Sequence, residues 1–142
     1  MTATETDALP LLDSEVLEKL RAELEDDAGV WKVFVTNFVE HLPHRTQKVR
    51  QTLTTGDLMG SLAAVLSLKT SSQMVGAERL AGIALELERS IRQDASRTDP
   101  DEVLPRLAAA HLRLIEQCCH QTTYLLRDYI HPKIAEPKTG RK

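Results

Sequence analysis

Apolar residues recur every three or four positions through most of the chain, a spacing that predicts helices and no strands. Val16, Leu17, Leu20 and Leu24 form a first short stripe, with Asp13 as its cap. The stripe closes near "EDDAG" at residues 25–29. A second stripe, Val30, Phe34, Phe38, Leu42, Val49 and Leu53, predicts a helix from about Val30 to Leu53. Pro43 lies inside it and removes one backbone donor, so a kink is expected there. In "TTGD", Gly56 suits the end of that helix and Asp57 the start of the next.

The third helix is expected from Leu58 to about Val75, with Leu58, Leu62, Val65, Leu68 and Ser72 inward. Gly76 separates it from a fourth, Ala77 to about Gln93, whose stripe is Leu80, Ile83, Ala84, Leu87 and Ile91. "DASRTDPDE" reads as a loop. Within it Asp99 caps a fifth helix, Pro100 takes the first helical position, and Asp101 and Glu102 complement the helix dipole. That helix carries Leu104, Leu107, Ala108, His111, Leu114, Ile115, Cys118, Thr122, Leu125, Leu126 and Tyr129. The short connections after the second helix make neighbours antiparallel. The expected fold is all-α: an up-and-down antiparallel four-helix bundle with a short extra N-terminal helix. Residues 12–132 would form the bundle, between a flexible N-terminal arm (1–11) and a flexible basic tail (133–142).

Composition agrees with this. The 142 residues suit a single core, and 42% are apolar but only 4% aromatic, so Leu, Val, Ile and Ala must fill it. A net charge of −3 offers no basic face for nucleic acid. No apolar run is long enough for a membrane span, and "MTATETDALP" lacks the layout of a signal peptide. Cys118 and Cys119 are adjacent, about 100° apart on a helix, and are poorly placed to bridge each other. Buried thiols in a reducing compartment, the cytoplasm, are the expectation.

Chemistry-bearing patterns are sparse. The histidines His41, His44, His111, His120 and His131 lack the partners of a zinc site, although His41 and His44 are three apart and could share a face. His111 falls on an apolar stripe, where a core histidine is the simpler reading. No catalytic triad or Gly-rich phosphate loop is present. Glu86 and Glu88, like Asp26 and Asp27, read as solvated faces. No cofactor, metal or enzymatic activity is expected. In "AVLSLKTSSQMVGAERL", residues 64–80, Lys69 lies one helical turn beyond Leu66, where it could neutralise an anion, with Ser71 and Ser72 as donors. On chemistry alone, a surface lysine among small packing residues is the better reading.

From Leu12 to about Tyr129 the chain resembles the histidine phosphotransfer (HPt) domains of bacterial two-component phosphorelays. Their phosphohistidine helix follows a pattern close to H-x-L-K-G-S-S, then G-A, a leucine, and later L-E. Leu68, Lys69, Ser71, Ser72, Gly76, Ala77, Leu80, Leu87 and Glu88 fall in that register, and "FVEHLPHR" resembles the end of the family's second helix. The resemblance implies that Leu66 occupies the phosphohistidine position and that Thr70 replaces a glycine.

Leucine has no nitrogen to take a phosphoryl group, so the resemblance implies a pseudo-HPt module. It would dock a response-regulator receiver domain, or a histidine kinase, without carrying phosphate. Leu66, Lys69, Thr70 and Gln73 would form the docking site, with Leu66 partly exposed beside the inward Val65. A true phosphotransfer protein, in which histidine was replaced at 66 or another histidine took over, and a purely structural bundle stay open as alternatives. A monomer or weak dimer is expected.

Overall fold

Five helices account for nearly all of the described residues, 9–24 and 28–131, of the computed structural model. They are α1 (Ser14–Glu23), α2 (Ala28–Thr54), α3 (Leu58–Met74), α4 (Glu78–Ala95) and α5 (Pro100–Ile130). No strand occurs among the described residues. α2 packs on α3, α3 on α4, α4 on α5 and α5 back on α2, which closes a four-helix ring, while α1 touches α2 at one end. The all-α bundle with an extra N-terminal helix is therefore the observed architecture. Most of the arm expected over 1–11, the tail over 133–142 and residues 25–27 of "EDDAG" lie outside the described residues.

The helix boundaries follow local chemistry. The carboxylates of Asp13, Asp57 and Asp99 accept from the backbone N–H of Glu15, Gly60 and Asp101, satisfying donors that the first turn leaves unpaired. Pro100 opens α5 where its missing N–H costs nothing. Gly56 and Gly76 end α2 and α3 with φ of 74° and 73°, the left-handed conformation that glycine adopts without a Cβ clash. α2 continues through Pro43, and the Thr46 hydroxyl donates to the carbonyls of Leu42 and Pro43 just after it.

The core runs the length of the bundle. Leu53, Leu68, Leu80, Leu87, Ile91, Leu104, Ile115 and Leu126 are fully buried. Each such side chain contributes roughly 1.5–3 kcal/mol by leaving water. The expected stripes on α4 is buried throughout. On α2 the buried face is rotated from the expected one: Trp31, Val35 and Val39 go inside beside Phe38 and Leu42, Phe34 is half-buried, and Val30 is 41% exposed. α2 carries apolar pairs at 30–31, 34–35 and 38–39, so two adjacent stripes compete, and contact with α5 selects the second. On α5, Val103 and Leu112 join the core, whereas His111, Leu114, Leu125 and Tyr129 sit at its edge.

Several contacts fasten α1 and the residues before it to the bundle. The Asp13 N–H donates to the Gly76 carbonyl at 2.7 Å, tying the helix start to the α3–α4 turn. Arg21 lies 5.0 Å over the Trp31 ring, Trp31 meets Tyr129 edge-on at 5.5 Å, and the Tyr129 hydroxyl donates to Glu18 at 2.7 Å. Leu11 and Leu12 pack on the core, and the Leu9 carbonyl accepts from Arg79 at 2.8 Å.

Candidate functional site

α3 has the sequence LMGSLAAVLSLKTSSQM, in which Lys69 is the one ionisable side chain. Ser61, Ala64, Val65, Leu68 and Ser72 turn inward. The outward positions are Met59, Ala63, Leu66, Ser67, Thr70, Gln73 and Met74. Met59 is 76% and Leu66 47% exposed. Single exposed leucines are ordinary, but a helix face in water that offers no charge over four turns is not. On α2, Val30 and Val33 are exposed as well. Leu66 thus stands in the open on a helix face whose own outward residues are uncharged, and the alternative of a leucine tucked into the core does not hold.

The candidate residues divide. Leu66, Thr70 and Gln73 share the outward surface of α3. The Thr70 hydroxyl donates back to the Leu66 carbonyl within the helix. Lys69 instead leans across to α4, where its Nζ donates to Glu88 Oε1 at 2.8 Å. The Arg92 guanidinium holds Glu88 Oε2 at 3.1 Å from one turn further along. The Lys69 and Glu88 side chains retain only 19% and 13% of their exposure. The hydrogen bond from Lys69 holds the Glu88 carboxyl below the usual carboxylate range, against the opposing effect of burial.

This corrects the reading of Glu88 as a solvated carboxylate. The Glu88–Arg92 spacing of four is visible along the chain, but the Lys69–Glu88 pair joins two helices across a turn, and no local spacing announces it.

Beside α3, a small hollow of about 320 Å³ opens toward α2, lined by Phe34, Asn37, Phe38, His41, Arg45, Ser71, Met74 and Val75. Arg45 Nε reaches Ser67 Oγ at 3.4 Å, and His41 Nδ1 donates to the Asn37 carbonyl at 2.7 Å. His41 and His44 are both exposed. A groove of about 810 Å³ between α2 and α5 passes Leu42, Pro43, Cys119 and Tyr124, and contains none of the candidate residues.

Among the described residues, no group of three or more His, Cys, Asp or Glu side chains is arranged to hold a metal ion. No described helix is long and apolar enough to cross a membrane.

On α5, His111 and Cys119 are shifted by burial. His111 is half-buried, and burial pushes its pKa down against the pull of Glu86 and Asp94. Neither Cys118 nor Cys119 is in a disulfide; Cys118 is buried, with Thr122 Oγ1 3.8 Å from its sulfur. Burial and the neighbouring Cys118 push the Cys119 thiol up to about 12.

An Hpt domain model matches residues 33–122, well over half the chain, and the chain belongs to that family. It is a phosphorelay HPt module; members of this family carry phosphoryl groups and interact with the kinases and receiver domains of phosphorelays. Among solved structures it is similar to histidine-containing phosphotransfer protein B (HptB) from Pseudomonas aeruginosa PAO1. The two share 26% identity, with a TM-score of 0.70 over 87% of this chain and 96% of the other. No curated protein sequence matches the chain.

Proposed function

We propose that this HPt module binds a receiver domain through the outward face of α3 and does not itself carry phosphate. Leu66 stands, in this reading, at the family's phosphohistidine position, with Lys69, Thr70 and Gln73 around it. Such a module would sequester a receiver or hold it in a complex, in the cytoplasm where phosphorelay partners meet.

The observation that carries the proposal is the uncharged outer face of α3 with Leu66 in the open at its middle. A bundle with no partner gains nothing from leaving that surface free of charge, and apolar surface of this kind is typical where partners meet. Leucine supplies no lone pair for attack on an acyl phosphate, so docking is separated here from transfer.

Titration calorimetry of the chain against a panel of receiver domains tests the reading. Saturable binding by at least one receiver, lost on Leu66→Glu, is expected. Binding by none, or acid-labile phosphoryl label on the chain after incubation with phosphorylated receivers, would overturn it.

A further inference from the structure

The flank of α2 that borders α3 is short of acid. Residues 41–77 contain four Lys or Arg side chains, Arg45, Lys48, Arg50 and Lys69, and a single carboxylate, Asp57. That carboxylate caps α3, where it accepts from the Gly60 N–H at 2.9 Å. The chain as a whole has a net charge of −3, so the positive excess here is a local arrangement.

Two of the four cations are matched by carboxylates of other helices. Arg50 pairs with Glu116 of α5, and Lys69 with Glu88 of α4. Arg45 and Lys48 form no ion pair among the described residues. Arg45 is nevertheless held in place. Its Nε donates to Ser67 Oγ at 3.4 Å, and Ser67 directly follows Leu66. That contact uses the side of the guanidinium and leaves its two terminal nitrogens, the pair that grips a carboxylate end-on, without a partner among the described residues. Lys48 lies three residues further along α2, on the same helix surface, and is exposed. The exposed Leu66 therefore has a fixed cation beside it and a second one close by, neither matched from within the protein.

Charge complementarity says what fits there. Like charges left side by side gain only when a partner brings the opposite sign, and charges at the edge of a contact decide partner choice and association rate more than total affinity. We infer that Arg45 and Lys48 are specificity-determining residues: they admit a partner whose carboxylates border an apolar spot and reject one with lysine or arginine there. That the partner is a receiver domain rests on the proposed docking function; the preference of this flank for carboxylates does not. Ser67 is a positioning residue, acting through Arg45.

Two measurements test the two parts separately. In the first, amide signals of the full chain are followed by NMR as a hexaglutamate peptide is added. Saturable shifts are expected around Arg45, Lys48 and Leu66. They should vanish in Arg45→Gln/Lys48→Gln, with core signals unchanged as a check on folding, and at about 500 mM salt, where screening acts within a few ångströms. Shifts gathered elsewhere on the molecule, or none that saturate, would overturn the inference.

In the second, affinity for a receiver that binds is measured at low salt for the native chain, for Arg45→Glu/Lys48→Glu and for Arg50→Gln, whose charge is turned to α5. A loss of about tenfold or more is expected for the double reversal, and less than about twofold for Arg50→Gln. Equal or tighter binding by the double reversal would overturn the inference. If no receiver binds at all, the docking proposal fails, while the peptide titration still decides what this flank selects.

Discussion

At the scale of single residues, position 66 and its surroundings carry the functional argument. Leu66→Ala removes exposed apolar surface without touching the core, so stability should stay within about 0.5 kcal/mol in urea unfolding. Receiver affinity should fall by about 1 kcal/mol or more if Leu66 anchors the contact, measured by titration calorimetry on the same sample. His111 offers a separate test. Its folded pKa lies below its unfolded value of 6.5, so the unfolded chain binds the extra proton first. Its contribution to stability is present above about pH 6.5 and is lost as pH falls toward the lower folded value. Thermal unfolding between pH 7 and 5 should show a falling Tm, and His111→Gln should flatten that part of the curve. Glu88 acts in the same direction at lower pH: its stabilising ion pairs are lost as pH falls below the ordinary carboxylate range of about 4.5.

At the scale of elements, the turn between α3 and α4 does more than reverse the chain. A Cβ at Gly76 would stand 2.8 Å from the Asp13 carbonyl oxygen, on a backbone with φ of +73°. Gly76→Ala therefore combines left-handed strain, about 1–2 kcal/mol, with a push against the start of α1. A loss of at least that size in urea unfolding is expected, larger than for an alanine at exposed Gln73.

The elements were legible in the sequence where one apolar stripe dominated. α4 has a single stripe, and Leu80, Ile83, Ala84, Leu87 and Ile91 are buried as its spacing indicates. α2 has two, at 30/34 and 31/35, and only the neighbouring helix decides between them, so Trp31 and Val35 were not readable as core. The exposure of Leu66 was readable from its angle to Val65. The partner of Lys69 was not, because it depends on how α4 is set against α3, which no spacing within either helix encodes.

At the scale of the whole molecule, α1 is joined to the bundle by few contacts, and the aromatic cluster at its end matters accordingly. Trp31 touches Arg21 on one side and Tyr129 on the other. Trp31→Ala should cost about 3–5 kcal/mol, as for other large aromatic truncations. Hydrogen exchange should show the loss concentrated in α1 and the adjoining ends of α2 and α5, with the middle of α4 still protected. A uniform loss of protection would mean that α1 unfolds only with the bundle.

The thiols of α5 have a practical bearing on all of this. Thiolate is the reactive species, and at neutral pH a thiol pushed up to about 12 is almost never ionised, while its neighbour Cys118 is shut away from reagents. The native chain should thus be nearly inert to maleimides. A cysteine introduced by Leu66→Cys would be the fast-reacting one, and a dye attached there would report directly on anything that lands on α3, with no need to remove the two cysteines already present.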